Sequence, residues 1–209
     1  LLRAGGNIVS LHLSSKMSGT WQSAMLAKKE LGSDRIQVVD ALSTSIGLGN
    51  LVAVCARAAH AGRSAADILG LATHMIATHR LLFVVDTLEY LRKGGRIGLA
   101  AAFIGGLLNI KPILSLRDGQ VCLLERCRGS KNVQNRFIEL VNEYLVQHSG
   151  KKICTAVTYA GDSANLDAML RAMSQHLDTS HALRTEIGAV VGAHVGPGCY
   201  GISLHCLPD

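Results

Sequence analysis

The stretch Asp86-Thr87-Leu88-Glu89-Tyr90-Leu91-Arg92-Lys93-Gly94-Gly95-Arg96-Ile97, continuing through Gly98-Leu99-Ala100-Ala101-Ala102-Phe103-Ile104-Gly105-Gly106-Leu107-Leu108-Asn109 to Ile110-Lys111-Pro112, decides how the rest of the chain is read. Just before it, the apolar run Leu81 to Val85 ends in Asp86 and reads as a strand. A short turn then carries Arg92, Lys93 and Arg96 around the pair Gly94-Gly95. From Ile97 to Leu108 the chain is apolar nearly all round. A helix with no polar face must be buried, and this one is shorter than the roughly 18 residues of a membrane span. Gly105 and Gly106 each cost such a helix about 1 kcal/mol. They make sense where something passes close to the backbone. A core helix beside a solvated basic turn explains the same residues equally well.

Outward from this stretch the pattern differs on the two sides. Before it, strands alternate with helices. Asn7 to Leu13 is a strand, Ser14-Ser15-Lys16-Met17-Ser18-Gly19-Thr20 a polar turn, and Trp21 to Leu31 a helix stopped by Gly32. Ile36 to Val39 is a strand ending in Asp40, and Ser43-Thr44-Ser45 caps a helix to Ala61. Ser64 to Thr78 is a helix capped by Ser64 with Asp67 three residues on. Such alternation predicts a parallel sheet with ligands at the carboxyl ends of its strands.

After the stretch, Ile113–Arg117 and Gln120–Arg128 flank Asp118-Gly119, a strong hairpin signal. Helices are expected over Asn132 to His148 and Ala164 to Leu177, and strands over Lys152–Tyr159, Leu183–Val191 and Cys199–Cys206. The predicted fold is therefore α/β in two domains. Residues 1–80 form a parallel α/β/α layer, and residues 81–209 form a two-layer α/β domain with a mixed six-stranded sheet. The seam is expected near residues 79–81.

Composition narrows the function. The chain has 209 residues, 48% of them apolar, enough for a real core. Net charge +6 favours an anionic ligand or an acidic partner. Aromatic residues, at 4%, are too scarce for base-stacking platforms, and no nucleic-acid motif is present. No metal is expected: the six cysteines, at 55, 122, 127, 154, 199 and 206, contain no Cys-x-x-Cys, and the nine histidines have no ligand spacing. Buried thiols in a reducing cytoplasm fit the cysteines better. Leu1-Leu2-Arg3-Ala4-Gly5-Gly6 does not read as a secretory signal, and the chain opens on what reads as the end of a helix, so a preceding segment is expected.

Three places have the chemistry to hold a ligand. Ser18-Gly19-Thr20 lies between a strand end and a helix start, where free amides and the helix dipole favour a carboxylate or phosphate. An ordinary serine cap explains it too. Gly192-Ala193-His194-Val195-Gly196-Pro197-Gly198 puts a histidine after a strand and before a tight turn, able to donate to a buried anion. Arg126, Arg128 and Lys131 end a strand and form one basic patch with Arg92, Lys93 and Arg96, unless they are simply solvated. Asp40 and Asp86 read as helix caps.

Taken in order, Ser14 to Thr20, Val38-Val39-Asp40 with Ser43-Thr44-Ser45, Leu88 to Ile97, Leu108 to Pro112, Arg128-Gly129-Ser130-Lys131 and His194 to Gly198 resemble the DegV family of lipid-binding proteins. The resemblance spans nearly the whole chain. It implies two α/β domains with a long-chain fatty acid between them and no cofactor. The carboxylate would be held by Ser18, with His194 in the same network. It implies a separate ATP-dependent fatty acid kinase as partner, with Arg96 and Arg128 as candidates for docking. It also implies an N-terminal strand and a Thr-Ser-Gln-Pro-like loop before Leu1, whose threonine shares the carboxylate. On this reading Met25, Phe103, Ile104 and Leu107 are acyl-tunnel candidates. Fifteen methylenes buried at ~0.8 kcal/mol each give roughly 12 kcal/mol before ordering costs. The alternatives are a subunit related to dihydroxyacetone kinases, which would need a histidine facing a small polar cavity, and a basic interaction domain with no ligand.

Overall fold

The computed structural model describes residues 2–103 and 110–208. Along the chain come β1 (Ile8–His12), α1 (Thr20–Leu31), β2 (Ile36–Asp40), α2 (Ser45–His60), α3 (Ala65–Thr78), β3 (Arg80–Val84), α4 (Glu89–Lys93), a 3₁₀ turn (Gly98–Phe103), β4 (Lys111–Arg117), β5 (Gln120–Cys127), α5 (Ser130–Gln147), β6 (Ile153–Tyr159), α6 (Ala164–Met173), β7 (Leu183–Glu186), α7 (Ala189–Val195) and β8 (Tyr200–Cys206). The strands make two sheets. β1 and β2 pair in parallel, and the second sheet runs β5-β4-β3-β8-β6-β7, antiparallel except for the β6–β7 pair. The fold is α/β with a mixed six-stranded sheet, as the alternation and the hairpin predict. α3 ends at Thr78 and β3, in the second sheet, begins at Arg80.

The second sheet carries most of the core. On one face α5 and α6 bury Phe137, Tyr144, Leu166 and Met169 against Leu82, Ile202 and Leu204. On the other, Phe83, Leu114 and Ala156 meet Leu91, Ile97 and Val195. The opposite faces follow from strand alternation: Leu82 and Val84 point one way, Leu81, Phe83 and Val85 the other. α2 and α3 close a third cluster, around Leu51, Ala72 and Met75.

Polar contacts tie the two sheets together. Ser14, fully buried, donates from its hydroxyl to the Gly119 carbonyl oxygen at 2.7 Å. Asp118 and Gly119 both have positive φ, 49° and 76°, as a two-residue primed hairpin turn requires. Deeper in, Asn50 of α2 donates to the Cys154 carbonyl and contacts His205 Nδ1, each at 3.2 Å. His205 stacks on His79 at 4.5 Å, and Ser203 touches both rings.

Several local expectations are corrected. The strand expected over Leu183–Val191 ends at Glu186, and α7 follows. The β-branched pair Val190-Val191 suggested a strand, but packing of α7 against α4 decides its conformation. The continuous apolar helix from Ile97 is a 3₁₀ turn as far as Phe103. It is not wholly buried: Ala100 is, while Leu99 is exposed. Ile104, Gly105, Gly106 and Leu107 lie outside the described residues. Asp40 and Asp86 cap no helix: Asp40 accepts from the Ser15 and Leu42 amides, and Asp86 pairs with Lys111 at 3.0 Å. Ser64 and Asp67 do form the expected capping box on α3, but α2 has Thr44 at its N-cap with no side-chain cap bond.

Candidate ligand cavity

Between the two sheets lies a partly open cavity of about 160 Å³, roughly a dozen water-sized groups at ~10–15 Å³ each. Its wall is mostly aliphatic, with Leu13, Met17, Ile46, Leu81, Phe83, Leu91, Leu116, Val121, Ile187, Val191 and Val195 contributing. Polar side chains are few: Ser18, Thr44, Ser45, Arg96, Thr158 and His194.

Ser18 and His194, far apart in sequence, thus meet in one cavity. Ser18 comes from the loop after β1. That loop is turned by the Ser18 amide donating to the Ser14 carbonyl at 3.1 Å and anchored by the buried Ser14 hydroxyl. Ser18 is not the helix cap: Gly19 holds that position, and the Ser18 Oγ accepts from the Thr20 amide and contacts Thr20 Oγ1 at 2.7 Å. The start of this twelve-residue helix is the end where free amides and the helix dipole favour an anion.

His194 sits in the last turn of α7. Its Nδ1 is buried and has no hydrogen-bond partner. The ring lies against Gly94, where any Cβ would collide with Nδ1. Gly94 therefore serves close approach of the histidine. A buried imidazole nitrogen without a partner is costly, about 1–3 kcal/mol.

Arg96 reaches this site too. Its Nε donates to the Met17 carbonyl at 3.1 Å and its Nη1 to the Gly94 carbonyl at 2.9 Å. The guanidinium thus joins the loop that carries Ser18 to the turn that backs His194, although much of the side chain is exposed. The other members of the expected basic patch are elsewhere. Arg92 and Lys93 pair with Glu89, and Arg126 stacks over the Phe103 ring at 4.7 Å. Arg128 is exposed at the β5–α5 turn.

Two tunnel candidates are not in the wall. Met25 is partly exposed on α1, a helix with no buried residue. Phe103 packs under Arg126 instead. Sequence reasoning passed over Met17, Thr44, Ser45 and Ile46 as cavity lining, and Val191 and Val195, which share a face of α7 with the expected His194. The α7 face was detectable: 191, 194 and 195 share one side of a helix, but only if the segment is read at helical period. Ser45 and nearby Leu42 take positive φ, 51° and 48°, and such strained non-glycine positions cluster at ligand clamps.

Among the described residues that line the cavity Cys199 is the one thiol, and burial, reinforced by the Asp86 charge, pushes that thiol up to about 12. It is protonated at neutral pH and is no nucleophile. Among the described residues no aspartate or glutamate lines the wall.

Comparison with known proteins agrees with this architecture. A family model described as "Uncharacterised protein, DegV family" matches residues 1–206. A DegV domain-containing protein of Deinococcus radiodurans is 40% identical over 206 residues, covering 99% of this chain and 72% of that protein. The structure reported as "Fatty Acid Binding of a DegV family Protein from Thermus thermophilus" superposes with a TM-score of 0.91 at 36% identity, covering 99% of this chain and 73% of that one. A Thermotoga maritima protein, TM841, whose structure is reported to reveal a fatty acid binding function, matches at 26% identity and TM-score 0.82, over 99% and 72% of the two chains. With the family model matching residues 1–206 and a relative 40% identical over nearly the whole chain, the chain belongs to the DegV family.

Proposed function

We propose that this protein binds a long-chain fatty acid, with the carboxylate at Ser18, Arg96 and His194 and the acyl chain along the aliphatic wall. The observation that carries this reading is the cavity itself: a mostly aliphatic wall with a few hydroxyls, Ser18 among them, one guanidinium and one imidazole. Only an amphipathic anion uses both halves. An apolar ligand would leave the polar groups unpaired, and a small polar ligand would leave the aliphatic wall wet. The Thermus thermophilus and Thermotoga maritima relatives, reported as fatty acid binders, support it.

In this reading the residues before about 80 and those after it are two domains that grip the ligand between them. The Arg96 bridge from Gly94 to Met17 spans that grip. Arg96 therefore belongs with the head group rather than with a docking surface. The thiols and the imidazole-rich seam suit the cytoplasm. Among the described residues no helix is long and apolar enough to cross a membrane.

Presentation of the carboxylate to an ATP-dependent fatty acid kinase is the further step. Arg128, exposed beside the turn at Gly129, is the docking residue we assign to it. Arginine makes bidentate contacts with a partner's carboxylates that lysine does not.

Native mass spectrometry after gentle purification, followed by lipid extraction, tests the binding. A retained C14–C18 acid, lost in Ser18→Ala, supports the reading. An empty wild-type chain that also fails to take up added palmitate contradicts it.

A further inference from the structure

A second cleft, of about 760 Å³, opens elsewhere on the molecule, between α2, α3, the start of β6, the 178–182 loop and Leu207–Pro208. It shares no lining residue with the first cavity. Its size is that of a small-molecule site, roughly 300–1,000 Å³. Arg57 on α2 and Lys152 ahead of β6 flank it, and neither has an acidic salt-bridge partner among the described residues. Two carboxylates, Asp67 and Asp178, line the cleft as well. Asp67 holds the Ser64 capping box and pairs with Arg63, and Asp178 accepts from the Ser180 amide. The lining also has apolar side chains, Val54, Ala58 and Leu71 among them.

We propose that this cleft is a separate binding site for a small organic anion. The charged head would rest between Arg57 and Lys152, and a compact apolar body against Val54, Ala58 and Leu71. Two unpaired cations on different elements define a head-group position, since together they attract an anion that neither holds alone. The apolar wall selects against bare inorganic anions. This proposal does not depend on what fills the first cavity.

Gly70 provides a clean block. It lies in α3 and lines the cleft, and a Cβ there would meet nothing within 4 Å. Replacing a mid-helix glycine with leucine favours the helix while filling the cleft.

The test is titration of phenyl phosphate into the ¹⁵N-labelled protein. Saturable shifts are expected at the amides of Gly70, Cys154 and Thr155. Arg57→Gln and Lys152→Gln should each weaken binding about fivefold, and Gly70→Leu should abolish it with no fall in melting temperature. Inorganic phosphate alone should bind more weakly than phenyl phosphate. The proposal is overturned if these amides do not shift up to about 10 mM ligand, or if saturable shifts appear only at Ser18, Gly94 and His194. It is equally overturned if both charge variants bind as the parent does, or if inorganic phosphate binds as well as the ester.

Discussion

The Arg96 Nε lies 3.1 Å from the Met17 carbonyl oxygen, a contact across 79 residues that fastens the Ser18 loop to the turn behind His194. A second bond, from Arg96 Nη1 to the Gly94 carbonyl, fixes the guanidinium plane. Arg96→Ala removes both. The side chain is largely exposed, so the stability loss should stay near ~1 kcal/mol. Fatty-acid release should accelerate about tenfold, because one head-group cation and one loop anchor go together. Stopped-flow displacement of a fluorescent fatty acid measures the rate, and an unchanged rate would remove Arg96 from the site.

A different outcome is expected at Arg128. Arg128→Ala should leave lipid occupancy intact and lower kinase-dependent acyl phosphate formation, with a larger loss as salt screens the remaining attraction. If occupancy collapses while phosphorylation per bound lipid is normal, Arg128 is a ligand or structural residue.

Acid should weaken the seam between the sheets. Burial drives the His79 pKa down to about 4, with Arg80 adding to the effect, and drives His205 down to about 3, with His79 adding to it. Both are bases whose folded values fall below the ordinary 6.5, so below that pH the unfolded chain binds more protons. Stability then falls as pH drops from about 6.5 towards 4, with a slope of up to two protons. Urea denaturation across that range measures it. His205→Gln should flatten the slope to at most one proton, and a wild-type slope of zero would contradict the buried-neutral pair.

Gly196 tests the turn after α7. It has φ 75°, and a Cβ there would strike the Tyr90 ring. Gly196→Ala should cost about 1–3 kcal/mol from backbone strain and overpacking. Because His194 is two residues away, lipid binding should fall as well. Thermal melts with and without palmitate separate the two effects.

Much of this was legible in the sequence, for identifiable reasons. Strand alternation, the Asp118-Gly119 turn and the Ser64–Asp67 capping box are local signals, and each survives in the fold. Ser18 stood out by its place between a strand end and a helix start, and His194 by the Gly-Pro-Gly turn that follows it, while their sharing of one carboxylate was implied only by the family resemblance. The cavity wall was not legible. Aliphatic residues such as Ile46, Leu116 and Val191 look alike in sequence whether they face a core or a cavity. Met25 illustrates the converse: it was chosen for its apolar character, and α1 leaves it partly exposed. Val190-Val191 misled because β-branched residues favour strands, while the tertiary contact with α4 is invisible to propensity.

The central claim is that one carboxylate meets Ser18, Arg96 and His194 in the cavity. Palmitate labelled with ¹³C at the carboxyl carbon reports on that group alone. The account predicts a single bound resonance that stays in the carboxylate form well below the ordinary titration range, because cationic and hydroxyl donors favour the charged form, and that disappears or regains an ordinary titration in Ser18→Ala and His194→Ala. A bound resonance that titrates like free fatty acid, and is identical in wild type and both variants, would contradict it.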